Sequence, residues 1–212
     1  LEMAENLSAR GVRVSLVEML PQVMAALDWE MAAMIHRELR DHGVRLGLSE
    51  ALQSIARTAD GRLEVTLASG KTAQTDMVLL AIGVRPESTL AREAGLELGP
   101  RGHIVVNEFM QTSDPDIYAV GDAIQVRHRV TGALTAVALA GPANRQARIA
   151  ASHITGQALP YPGATGAAIV RVFGLTAACT GANAATLERA GVPFLTTITH
   201  TNDHASYYPG AT

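Results

Sequence analysis

Asp122 stands where a carboxylate can do recognition chemistry. It closes the segment Thr112-Ser113-Asp114-Pro115-Asp116-Ile117-Tyr118-Ala119-Val120-Gly121-Asp122. Asp114-Pro115 is strong turn chemistry, because proline presets its own φ and aspartate hydrogen-bonds its own backbone. Ile117 to Val120 is a short apolar run of strand-forming residues, and it predicts a short buried strand. Gly121 lacks a Cβ, so a ligand can approach the backbone there. Asp122 then falls at the carboxyl end of the strand, where open α/β sheets bind their ligands. An ionised carboxylate in that place accepts hydrogen bonds from sugar hydroxyls. Read from spacing alone, the segment fits equally a strand that ends in a turn aspartate.

A second carboxylate, Glu18, ends the apolar run Val12 to Val17, which reads as a buried strand. In a dinucleotide-binding βαβ unit, an acidic residue at the end of the second strand lies ~20 residues after the glycine fingerprint. Counting back from Glu18 puts that fingerprint at or just before Leu1. The chain therefore reads as an internal segment, with the first strand and the phosphate-binding glycines outside it. Glu18 can accept both hydroxyls of an adenosine ribose and would repel a 2′-phosphate, which favours NAD(H) over NADP(H). The alternative is an ordinary charge at a strand end. Cys179 has no visible base or cationic neighbour to activate it and reads as a small buried residue. No metal-ligand spacing appears, and His36 with His42 fits no zinc pattern.

The elements that must position these groups follow from periodicity and punctuation. Leu1 to Gly11 reads as a helix body closed by its C-terminal glycine. Asp28 is a good N-cap for a helix running to about His42, with Met31, Ile35 and Leu39 facing a sheet. Met19, Met24, Met31 and Met34 read as core filling or a pocket wall. Val44 to Leu46 predicts a further short strand. Leu63 to Leu67 alternates as a half-buried strand does, between the turn signals Asp60-Gly61 and Ser69-Gly70. The continuous apolar run Met77 to Ile82 predicts a strand covered on both faces and ended by Gly83. Pro142 suits the first position of a helix, with Ala143, Ala147, Ala150 and Ile154 on one small-residue face and Gly156 closing it. Ala168 to Phe173 and Leu195 to Thr199 look like strands, and Asn183 to Ala190 like a helix.

Bulk composition narrows the function classes. Hydrophobic residues make up 48% and aromatics 4%, so any core is built from Ala, Val, Leu and Ile. A net charge of −3 with no basic run argues against a nucleic-acid partner. No apolar stretch approaches the ~20 residues needed to cross a bilayer, so no membrane partner is expected. A single cysteine excludes an internal disulfide framework and suits a reducing cytoplasm.

The Thr112–Asp122 segment resembles the second FAD-binding motif of the pyridine nucleotide–disulfide oxidoreductases, flavoproteins with two dinucleotide-binding domains. The resemblance gives Asp122 a ribitol hydroxyl of FAD. The order βα, antiparallel meander, apolar run resembles the family's NAD domain, and Ala81-Ile82-Gly83 matches its short motif beside the nicotinamide cofactor. Isoleucine replaces a common threonine there, so Gly83 keeps only its backbone role. The segment Leu139-Ala140-Gly141-Pro142-Ala143-Asn144-Arg145-Gln146 resembles the branch that contains coenzyme A–disulfide reductases and NADH oxidases. In the family, this helix points at the pyrimidine edge of the flavin, where reduction builds negative charge. Leu139, Ala140, Pro142 and Asn144 are thereby cofactor-binding candidates, with Gly121, Asp122, Glu18 and Gly83.

The resemblance implies an α/β fold, a fragment of such a flavoprotein with Rossmann-like NAD and FAD domains. Residues 1–103 would be most of the NAD domain, 104–162 the second half of the FAD domain, and 163–212 the start of an α+β dimerisation domain. The whole protein would be a homodimer using FAD and NAD(H) to reduce a small-molecule disulfide or persulfide, coenzyme A disulfide foremost. Its redox cysteine would lie in the N-terminal FAD half. The segment His200-Thr201-Asn202-Asp203-His204-Ala205-Ser206-Tyr207-Tyr208-Pro209-Gly210 would then bring a phenol, Tyr207 or Tyr208, over the partner's cysteine, with His204 as acid–base partner. A plain interface anchor and a surface histidine are the alternatives. Two other functions are open: an NADH oxidase or peroxidase on the same scaffold, and a non-catalytic interaction domain.

Overall fold

The structure is a computed structural model that describes residues 1–201, 204–205 and 207–210. Asn202, Asp203 and Ser206 of the His200–Gly210 segment lie outside the described residues. The first half opens with helix α1 (Glu2–Ala9), strand β1 (Ser15–Glu18), helix α2 (Trp29–Asp41) and strand β2 (Arg45–Leu48). Strands β1 and β2 pair in parallel, Glu18 opposite Leu48, with α2 as the crossover. A meander follows: β3 (Leu52–Arg57), β4 (Leu63–Leu67) and β5 (Thr72–Thr75), all antiparallel. The Ser69 hydroxyl and the Lys71 ammonium both donate to Glu50, which ties the β4–β5 turn to the end of β2.

Helix ends are set by glycine. Gly11, Gly43 and Gly156 have φ of +77°, +77° and +89°. Each lets the next amide reach back to the third residue from the helix end, as Gln157 N–H does to Ser152 C=O at 2.8 Å. Only glycine takes that left-handed turn without cost.

The second half contains helix α3 (Thr89–Glu93), a 3-10 turn at Gly121–Ala123, the two-residue strands β6 (Val126–Arg127) and β7 (Leu134–Thr135), and helix α4 (Ala140–Ile154). An antiparallel hairpin, β8 (Ala168–Val172) and β9 (Leu175–Cys179), and helix α5 (Ala184–Ala190) complete it.

Two cores result. The first joins Val23, Leu27, Ala32, Ile35, Leu39 and Val44 to Val172 of the hairpin. Three side chains fix that hairpin and α5 onto α1 and α2: Glu5 of α1 accepts Phe173 N–H, Glu38 of α2 accepts Gly174 N–H, and Asp28, at the start of α2, accepts Ala184 N–H. The second core groups Met110, Ile124, Val126, Ala150, Tyr161 and Ala164 beneath α4.

Several expectations are corrected. Met77 to Ile82 forms no strand, and Leu79, Leu80 and Ile82 are exposed. The run has the composition of a covered strand but hydrogen-bonds to no neighbouring strand among the described residues. Leu195 to Thr199 likewise forms no strand, and Leu195 is fully exposed. Ile117 to Val120 reduces to a single bridge, Gln111 with Tyr118. The strand placed at Val12 to Val17 begins only at Ser15, and both valines are exposed. Met31 is exposed where Ala32, Ile35, His36 and Leu39 are buried, because the apolar face of α2 is rotated by about one residue. Met19 and Met34 also face solvent, and only Met24 lines the core. In α4 the buried positions are Gln146 and Ala150, while Ala147 and Ile154 are exposed. Cys179 is half-buried at the end of β9, against the first core.

His36 carries a stability prediction. It is 2% exposed, and its Nε2 accepts the Val23 N–H at 3.1 Å. Burial first, and then the nearby Arg40 charge, lower its pKa. The unfolded chain therefore takes up the proton first, near the usual ~6.5. The His36 contribution is complete above that pH and is lost as pH falls below it. Urea midpoints should drop between pH 7 and pH 5 in the parent and drop less in His36→Gln. Equal pH dependence in the two proteins would refute the assignment.

Candidate functional site

The Asp122 segment is built onto α4. Gly121 has φ +85°, so its left-handed backbone is what demands glycine. A Cβ there would make only ordinary contact, 3.9 Å, with the Ala143 side chain. This conformational requirement is additional to the expected one, room for a ligand against the backbone. The Gly121 N–H donates to Gln146 Oε1 at 2.8 Å. Three residues earlier, the Tyr118 hydroxyl lies 2.7 Å from His153 Nδ1, and Phe109 stacks on the same imidazole. The segment is thus clamped to the middle of α4 by Gln146 and near its carboxyl end by His153.

That clamp leaves the Asp122 side chain exposed, and among the described residues it accepts no hydrogen bond and forms no ion pair. Beside it is the amino end of α4. The helix starts at Ala140, with Leu139 as the flanking residue, so Pro142 occupies its third position and not its first. Proline supplies no N–H, and the Ala143 N–H bonds to Leu139 C=O. The Ala140 and Gly141 amides have no acceptor among the described residues, and they carry the positive end of the helix dipole. Asn144 turns its Nδ2 onto Ala140 C=O at 3.0 Å, which leaves its amide oxygen outward. An unpartnered carboxylate on a turn packed against α4 and two unpartnered amides at the start of that helix can between them hold a polyhydroxylated chain and an electron-rich edge. The donor set fits the ribitol and ring of a flavin.

The other candidates are placed apart from this turn. Glu18 ends β1 as expected, and one of its oxygens accepts the Leu20 N–H at 2.9 Å. Its second oxygen is left for a ligand. Gly83 has φ +94° and is exposed, with no atom within 4 Å of where a Cβ would be. His204, Tyr207 and Tyr208 do meet one another. The two tyrosine rings are 4.9 Å apart, and His204 is 5.8 Å from Tyr208. Both tyrosines are largely exposed. No group of three metal-ligating side chains occurs among the described residues. No helix among them is long and apolar enough to cross a membrane.

Gln146 was not among the candidates, although it is 1% exposed and central to the turn. Its spacing from Ala143 and Ala150, three and four residues, is the signal that could have found it.

Residues 1–143 match the family model described as pyridine nucleotide-disulphide oxidoreductase. An NADH oxidase of Methanocaldococcus jannaschii is 36% identical over 99% of this chain and 46% of its own length. The structure of reduced Bacillus anthracis CoADR-RHD shares 49% identity at a TM-score of 0.93, over 99% of this chain and 37% of that one. An NAD-dependent persulfide reductase from A. fulgidus gives a TM-score of 0.94 at 38% identity, over 100% of this chain and 39% of that one. The chain thus spans under half the length of these relatives. Sequence, turn and helix agree, and the chain belongs to the pyridine nucleotide-disulphide oxidoreductases, a family of flavin-dependent NAD(P)H oxidoreductases.

Proposed function

We propose that the whole protein is an FAD- and NAD(H)-dependent reductase of a small-molecule disulfide or persulfide, with coenzyme A disulfide as the preferred substrate. The observation that carries the reading is the Gly121–Asp122 turn seated on the first turns of α4, with its carboxylate unengaged by the described residues. FAD, when bound, supplies the relay that carries two electrons from NADH to the acceptor. Asp122 holds a ribitol hydroxyl. Leu139, Ala140, Pro142 and Asn144 form the helix start, whose dipole favours the negative charge that reduction builds. Glu18 accepts the adenosine ribose hydroxyls, and Gly83 lets the chain pass close to the nicotinamide.

Residues 1–103 then serve the nicotinamide cofactor, 104–162 the flavin, and 163–212 the association of two copies. In that homodimer Tyr207 or Tyr208, with His204, faces the partner's redox cysteine, and a reducing cytoplasm suits such a thiol. The resemblance of Leu139–Gln146 to coenzyme A–disulfide reductases supports the choice of substrate. The similarity to an NADH oxidase supports a second reading, in which oxygen or peroxide is the acceptor.

Anaerobic NADH oxidation by the full-length protein, with and without coenzyme A disulfide and then in air, separates the two. Turnover that needs the disulfide and ignores oxygen is expected. Turnover that appears only with oxygen or peroxide would move the protein to the oxidase reading.

A further inference from the structure

Gln146 is a buried polar group whose role the cofactor contacts leave open. It is 1% exposed inside an otherwise apolar core. Its two ends do different jobs. Oε1 accepts the Gly121 N–H at 2.8 Å, and Nε2 lies 3.4 Å from the hydroxyl of Tyr161, itself 9% exposed. A neutral amide is the side chain that can accept at one end and donate at the other without bringing a charge into the core.

We infer that Gln146 is a positioning residue for flavin binding: it locks the Gly121 amide inward and thereby holds the Asp122 carboxylate outward beside the amino end of α4. The inference rests on the flavoprotein reading above. The reason is geometric. Gly121 is left-handed, and among the described residues its N–H makes the one hydrogen bond between the Gly121–Ala123 turn and α4. Seven residues separate Gln146 from Leu139, the residue at the start of α4, so one rigid segment carries both the latch and the helix start. Tyr161 in turn fixes the amide plane, because a glutamine without a partner for Nε2 is free to rotate its Oε1 off the glycine. The Tyr161 N–H is bonded to Glu108 C=O at 2.7 Å, which holds that ring's own backbone in place.

The test uses full-length protein and the FAD dissociation constant of the parent and two variants, alongside the melting temperature of each flavin-free protein. Gln146→Met keeps the volume and removes both bonds. It should weaken FAD binding by about tenfold or more, since a buried amide donor then loses its acceptor. Tyr161→Phe keeps the ring in the core and removes only the hydroxyl. It should weaken FAD binding by roughly threefold to tenfold with little change in melting. This variant keeps the question decidable if Gln146→Met does not fold.

An FAD dissociation constant unchanged within threefold in Gln146→Met, or in Tyr161→Phe if the former does not fold, overturns the inference. A parent protein that binds no FAD at all would instead overturn the flavoprotein reading, and the parent measurement shows this separately.

Discussion

Asp122→Ala in the full-length protein should yield protein that sheds its flavin during gel filtration. The Asp122 carboxylate has no partner among the described residues, and the Gly121–Ala123 turn that carries it packs on the first two turns of α4. Hydrogen bonds to a charged group contribute about 1.5–3 kcal/mol each. Losing one of them weakens binding by roughly 10- to 100-fold. Asp122→Asn keeps one oxygen and should fall between parent and alanine. Because the side chain is exposed and makes no internal bond, the flavin-free variants should melt within about 0.5 kcal/mol of the parent. Flavin absorbance per protein, read after gel filtration, decides the matter. A stoichiometric flavin content in Asp122→Ala would remove Asp122 from the site and with it the observation on which the proposed function stands.

Leu39→Ala should produce the largest loss of stability of any single change in the first core. Leu39 is fully buried between α2 and the β8–β9 hairpin, beside Ile35 and Val172, which are also 0% exposed. Truncating such a leucine costs about 2–5 kcal/mol, the upper end where surrounding structure cannot collapse into the cavity. Here the wall opposite is a hairpin held by Glu5 and Glu38, which limits its inward movement. Amide exchange should show residues 168–179 losing protection together with α2, although they are distant in sequence. A loss below about 1 kcal/mol in urea unfolding, or unaltered protection in the hairpin, would show that the hairpin does not depend on this core.

What could be read from the residues, and what could not, divides along physical lines. Helix ends were legible because glycine's left-handed conformation is a local property. Gly11, Gly43, Gly156 and Gly191 all end helices with positive φ. The same holds for β4 between the turns at Gly61 and Gly70. Asp28 precedes α2 as expected, yet its carboxylate accepts from Ala184 and not from its own helix. Strands were less legible, because a strand is defined by a partner. Met77 to Ile82 and Leu195 to Thr199 have strand composition without one among the described residues. The approximate phase of a helix also escaped the residues: Met31 and Ala147 sit one position from the buried faces they were assigned to. In the site, Asp122 and the helix that follows were legible as separate motifs, and Glu18 at the end of a strand. The latch between Asp122 and that helix was not read, since its one signal, the helical spacing of Gln146 from Ala143 and Ala150, is masked by the polar run Asn144-Arg145-Gln146.

The first core has a consequence for how the chain comes off the ribosome. Its central residues are contributed by the stretch up to Val44 and then, more than a hundred residues later, by Val172. Phe173 and Glu5, bonded through the backbone amide, lie 168 positions apart. At ~5–20 residues per second, the newly made α2 waits on the order of ten seconds for the hairpin that covers it. During that interval Ile35 and Leu39 have no final cover from β8 and β9, which makes the nascent chain a natural client for a holding chaperone. Synonymous codon changes that slow translation between residues 50 and 165 would lengthen that exposure, and the effect would be visible as lower soluble yield with an unchanged protein.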